Sequence, residues 1–285
     1  MQSLDLLNFN QFHRRNSRAS ALIVSCGIAL SAVVSTNAAT ETPDEMAPVR
    51  VFDQVVVPVP HEIFAVLDDL GIRGWKGVAP LPKRPQRISR PQAALLLGAV
   101  VAEGFLAVQA EDMDKTKDLG PEVLELADML GVKNEVAGHA RSIVDGADEG
   151  RWDDVREELD KTQQTVRNAM TKLRDDDLAA FVSFGGWVRG TEAVSHVILD
   201  SYTVERAELL RQPDLARHFS KTLKAVEGSA AKAPGVKTMN KALDKLSKLM
   251  SKEMLTDIEV KQIEDICTES VAAIYGAKVE AATDE

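Results

Sequence analysis

Arg189, Glu192, His196 and Asp200 fall in or just beyond an otherwise apolar run, Leu178–Leu199 (LAAFVSFGGWVRGTEAVSHVIL). On a helix turning about 100° per residue they lie within about 80° of one another. Their separations of three, four and four residues are those at which helical side chains meet. A guanidinium, carboxylates and an imidazole in one line could anchor a ligand, exchange protons, or form a salt-bridge network. Glu103 bears on that choice, as the one charged residue within a second apolar run, Ala93–Val108 (AALLLGAVVAEGFLAV). An unpaired buried charge costs several kcal/mol, so burial of both runs requires partners. Glu103 and Arg189 are therefore expected to pair across a helix–helix contact, with Glu192 and His196 extending the network. The competing readings are a solvated line of polar groups and a ligand or metal site.

Other chemistry finds little support. His61, His139, His196 and His218 are scattered, and there is no His-Glu-x-x-His or Cys/His ligand spacing. Glu192-x-x-x-His196 offers two metal ligands at most. Asp145–Glu157 (DGADEGRWDDVRE) starts like a calcium loop, but Ala147 and Arg156 stand where ligands are needed. A Gly-x-Ser-x-Gly elbow, a phosphate-cradling loop and a dinucleotide fingerprint are all missing. The expectation is no metal and no cofactor, with an enzyme using Glu192 and His196 as acid and base ranked third among the functions.

The elements that must position these residues read as helices. Ser89 suits the N-cap of a helix from Arg90 to about Asp112. Its apolar centre is shorter than the roughly 20 residues that span a bilayer, and a helix apolar all round is buried by others. Amphipathic helices are predicted over Pro121–Leu130, Val132–Asp145 and Arg151–Leu173, then the Leu178 helix, opened by Asp175–Asp177. Val204–Arg211, Asp214–Glu227, Lys237–Met250 and Thr256–Lys278 follow, while Pro60 and Gly71 bracket an earlier helix. The fold class is all-α, a multi-helix globular bundle.

Displacing the chain on itself by 86 residues lays Ala93–Val108 over Ala179–Val194. Positions 93–124 then share eight identities in 32 with positions 179–210. Two related helical units of about 86 residues plus a C-terminal helix pair are the expected plan. Gly98, Gly104, Gly185, Gly186 and Gly190 each cost helix propensity, and keeping them suggests close backbone approach.

Arg14, Arg15 and Arg18, the apolar stretch Ala19–Val34 and the small residues Thr36–Ala38 have the order of a secretory signal peptide. Lipidation at Cys26 is a weaker variant. Export, to a periplasm, is the expected localisation. Residues 1–38 are then the signal, 39–59 an extended arm, 60–227 the helical core, 228–235 a linker, 236–279 the helix pair and 280–285 a disordered tail. Removing 1–38 takes away three Arg and one Asp, so the formal charge of −10 becomes −12. Such acidity disfavours nucleic acid as a partner, and the mature chain carries no expected transmembrane span. It keeps Cys267 as its only cysteine, which rules out an intramolecular disulfide.

Two basic clusters stand out against this acidity. Lys83, Arg84, Arg87 and Arg90 lie in a proline-rich loop, and Lys237, Lys241, Lys245, Lys248 and Lys252 share one helix face. Each reads as an anion-binding surface or as ordinary solvated charge. Binding or scaffolding, with an envelope protein as partner, is the leading functional expectation. The alternative is a carrier of a small apolar molecule or lipid, with a cavity between the two apolar helices anchored by Glu103, Arg189, Glu192 and His196.

Overall fold

The computed structural model describes Gly71, residues 75–172 and residues 176–277. The segments expected as signal sequence, extended arm, helix after Pro60 and C-terminal tail lie outside the described residues.

The described elements are all helical, with no strand among them. A 3-10 turn, Trp75–Gly77, leads through an irregular stretch to α1 (Arg90–Gln109). Then come α2 (Met113–Leu130), α3 (Lys133–Asp148), α4 (Trp152–Lys172) and α5 (Asp176–Asp200). A helical turn at Val204–Ala207 continues as the 3-10 turn Glu208–Leu210 and precedes α6 (Pro213–Ala225). The last two helices are α7 (Val236–Met250) and α8 (Asp257–Ile274).

Local chemistry sets the boundaries. Ser89 caps α1 by accepting from the Gln92 N–H, with Pro91 in the first turn. Thr256 and Glu259 close a reciprocal capping box at the start of α8. Gly131, at φ 80°, ends α2 in the left-handed conformation. α8 ends at Ile274 rather than Lys278, but the largest departure from the expected boundaries is at α2, which begins at Met113 rather than Pro121. Asp112 caps it by accepting from the Lys115 N–H, and the Thr116 hydroxyl donates to the Asp112 carbonyl, so the helix is established before the proline.

The centre of the fold is the contact between α1 and α5, each apolar around its circumference because helices cover it on several sides. α1 also meets α2, α4, α8 and the Trp75 turn, while α5 also meets α4, α6 and α8. By length and composition α1 could cross a membrane, but 78% of its most apolar window is buried inside the protein, as for a core helix. The α1–α5 contact is backbone on backbone. A Cβ added at Gly98 would lie 2.0 Å from the Val182 carbonyl oxygen, and one at Gly185 2.1 Å from that of Leu95. Gly186 approaches the Gly98 carbonyl, whereas Gly104 and Gly190 face open space. Three of the five glycines thus serve close approach.

The two apolar helices start 86 residues apart, but the correspondence stops there. The stretch displaced by 86 from α2 contains the end of α5, a loop, two short turns and the start of α6. Residues 236–274 join the main core: Met239, Leu243, Leu246, Ile263 and Cys267 are fully buried in the same cluster as Leu96 and Phe184. The segment before them is packed too, with Ala233 buried and Gly235 against the backbone of Ala273 and Ile274. The Gln92 amide donates to the Ile274 carbonyl at 2.9 Å, tying the start of α1 to the end of α8. Phe184, Trp187 and Phe219 pack ring against ring between α5 and α6.

Candidate functional site

Beyond the glycine contact, α1 presents Glu103 and α5 presents Arg189 to each other. Both are buried, at 2% and 1% exposure. Arg189 Nε donates to Glu103 Oε2 at 2.8 Å and Nη2 donates to the same oxygen at 2.6 Å. Nη1 donates to Glu192 Oε2 at 2.7 Å, one turn along α5, and Nη2 also donates to the Ala79 carbonyl at 2.7 Å. Four of the five guanidinium N–H groups therefore have acceptors within the protein. Lys115, from the first turn of α2, pairs with the other Glu103 oxygen and leads the network out to solvent.

Two cations and two carboxylates balance in this cluster, which is how buried charge is tolerated. Burial pulls the Arg189 pKa down, but the charges of Glu192 and Glu103 outweigh it and hold the group above its ordinary value. Arg189 is a fixed cation whose directions are already occupied. It has neither a proton to give nor a free fork to offer.

His196 has a different partner. Its Nδ1 lies 2.9 Å from Glu264 Oε1, linking α5 to α8, while Gly77 of the Trp75 turn lies near its Nε2. Lys261 also holds Glu264, at 3.0 Å. The line read from the sequence thus divides into an Arg189 cluster with Glu103 and Glu192, and a His196–Glu264 pair. Asp200, at the end of α5, is exposed. Cys267 lies fully buried near both: burial, then the Glu192 and Glu264 charges, push its thiol well above the ordinary range. Such a thiol is a poor nucleophile. Among the described residues, no group of three or more His, Cys, Asp or Glu is placed to hold a metal ion.

Ala79, Lys115 and Glu264 escape sequence reading. A backbone carbonyl leaves no trace in composition, and Lys115 and Glu264 reach their partners across helix boundaries that no periodicity encodes. The proline-rich loop also proves structural in part. Arg84 pairs with Glu125 at 2.6 Å and Glu122 at 3.7 Å, and Arg90 donates to the Leu130 carbonyl at 3.1 Å, so both fasten the loop to α2. Trp75 is buried as a plug against α1 and α5.

No family model, curated protein or solved structure matches the chain.

Proposed function

We propose that this is an exported, periplasmic protein that binds or scaffolds a partner through the outward faces of its helices. Export rests on the order of charges, apolar residues and small residues in 1–38. The observation that carries the binding mode is the engagement of Arg189: Glu103, Glu192 and Ala79 take four of its N–H groups. A carrier using Arg189 as anchor would have to break these bonds and separate backbones that touch at Gly98 and Gly185. The solvated surfaces remain for recognition.

Native mass spectrometry of the protein purified from the envelope of its own cells tests this reading. The expected species are the bare mature chain, beginning near Ala39, and its complexes with an envelope component. A stoichiometric small-molecule adduct that is lost in Arg189→Met would overturn it in favour of the carrier.

A further inference from the structure

The strongest outward feature is a segregation of charge. Residues 213–252, covering α6 and α7, hold nine Lys and Arg against three Asp and Glu, a net of +6. The whole chain carries −10, so the remainder holds −16. On α7, Lys237, Lys241, Lys245 and Lys248 fall within about 80° of arc, with Lys252 just past its end, and all five are exposed. Lys224 of α6 flanks them through its ion pair with Asp244 at 2.8 Å. Arg217 pairs with Asp214 and lies 3.5 Å from the Ser251 hydroxyl. The face is thus continuous over both helices.

Its carboxylates are largely spoken for: Asp214 by Arg217, Asp244 by Lys224 and the nearby Lys248. Glu227, the third, sits past the end of α6. At the far end Lys252 pairs with Glu259, with Glu253 and Asp257 exposed close by. Lys237, Lys241 and Lys245 have no ion-pair partner among the described residues. Shortly after Lys252 stand the two most exposed large apolar side chains among the described residues, Met254 at 52% and Ile258 at 67%.

From this juxtaposition we infer that the α6–α7 face docks on an anionic phospholipid surface, with Met254 and Ile258 entering the headgroup layer. This rests on the face-mediated reading above and names its partner. A protein interface is less suited to the face, because lysine is depleted in interface cores and binding hot spots favour Trp, Tyr and Arg. Flexible point charges suit a smeared negative surface, and adjacent apolar side chains add partitioning. The acidic remainder is repelled by the same surface, so the charge asymmetry fixes the orientation.

The test is co-sedimentation of the full chain with phosphatidylcholine vesicles, with and without phosphatidylglycerol. Binding is expected only with the anionic lipid, and it weakens as salt rises. Each lysine near such a surface is worth about fivefold in affinity, so Lys237→Gln/Lys241→Gln/Lys245→Gln is expected to weaken binding roughly a hundredfold. Its thermal unfolding should match the parent, since these side chains are exposed and make no ion pair among the described residues. Ile258→Ser is expected to lose about tenfold while keeping the salt dependence. Equal binding to neutral vesicles, or none to anionic vesicles at low salt, overturns the inference. Binding to polyglutamate but not to anionic vesicles overturns the lipid assignment alone and leaves the face-mediated reading standing. A ligand adduct lost with Arg189→Met would overturn that reading instead.

Discussion

Arg189 serves two buried carboxylates, and that asymmetry predicts how its neighbours respond to mutation. In Arg189→Met, Glu103 keeps only Lys115, and Glu192 loses its guanidinium partner while 7% exposed. Stranding a buried charge costs about 3–5 kcal/mol. In Glu103→Gln the amide oxygen still accepts from Arg189, Glu192 remains paired, and Lys115, 35% exposed, turns to water. That substitution should cost about 1–3 kcal/mol. Urea unfolding of the two variants checks the ranking, and losses of equal size would mean that Arg189 does not hold the cluster together. Of this cluster, the pairing of Glu103 with Arg189 was legible in the sequence, since two lone charges in two apolar helices must find each other. The Ala79 carbonyl was not, because any residue type supplies one. Nor was the partner of His196: its spacing from Glu192 fits a contact, but only the docking of α8 decides that Glu264 wins.

Glycine separates the scale of the helix from that of the side chain. Gly98 and Gly185 sit where α1 and α5 touch, and a methyl at either would enter the other helix's backbone. Relief requires parting the two central helices, so Gly98→Ala or Gly185→Ala should cost about 4 kcal/mol or more. Gly104 and Gly190 occupy the same helices with nothing within 4 Å of an added Cβ. There Ala should stabilise by about 0.5–1 kcal/mol through helix propensity and a less disordered unfolded chain. Thermal unfolding of the four single variants gives a sign test, and a uniform response would refute the contact. Composition could say that the glycines have a use, but not which face of each helix meets the other. Helix ends were legible where a side chain makes the cap, as at Ser89 and Thr256. The start of α2 was not legible, because a mid-helix proline costs about 3 kcal/mol, more than the Asp112 cap returns. The packing of Thr116 and Leu119 ahead of Pro121, which local sequence does not declare, makes up the difference.

The same core that hides Arg189 determines how the molecule comes apart. Buried residues from Trp75 to Tyr275 form one main cluster, and the α7–α8 pair belongs to it. α8 covers a side of α5, and its last carbonyl is held by Gln92 at the start of α1. Losing α7 and α8 would therefore bare the central helix, so the pair cannot melt as an independent unit. A smaller cluster of Phe105, Val108, Ala147, Val155 and Leu159 joins α3 and α4 to the far end of α1. It shares α1 with the main core and should follow it. Guanidinium unfolding is expected to be a single transition, coincident by tryptophan fluorescence and far-ultraviolet circular dichroism. The tryptophans report usefully, since Trp75 plugs the core, Trp187 joins α5 to α6, and Trp152 stands at the smaller cluster. A chain truncated after Gly235 should show the α-helical signal without a cooperative transition. If the truncated chain melts cooperatively near the parent midpoint, the C-terminal pair is an appendage and the continuity of the core across α5 and α8 adds little to stability.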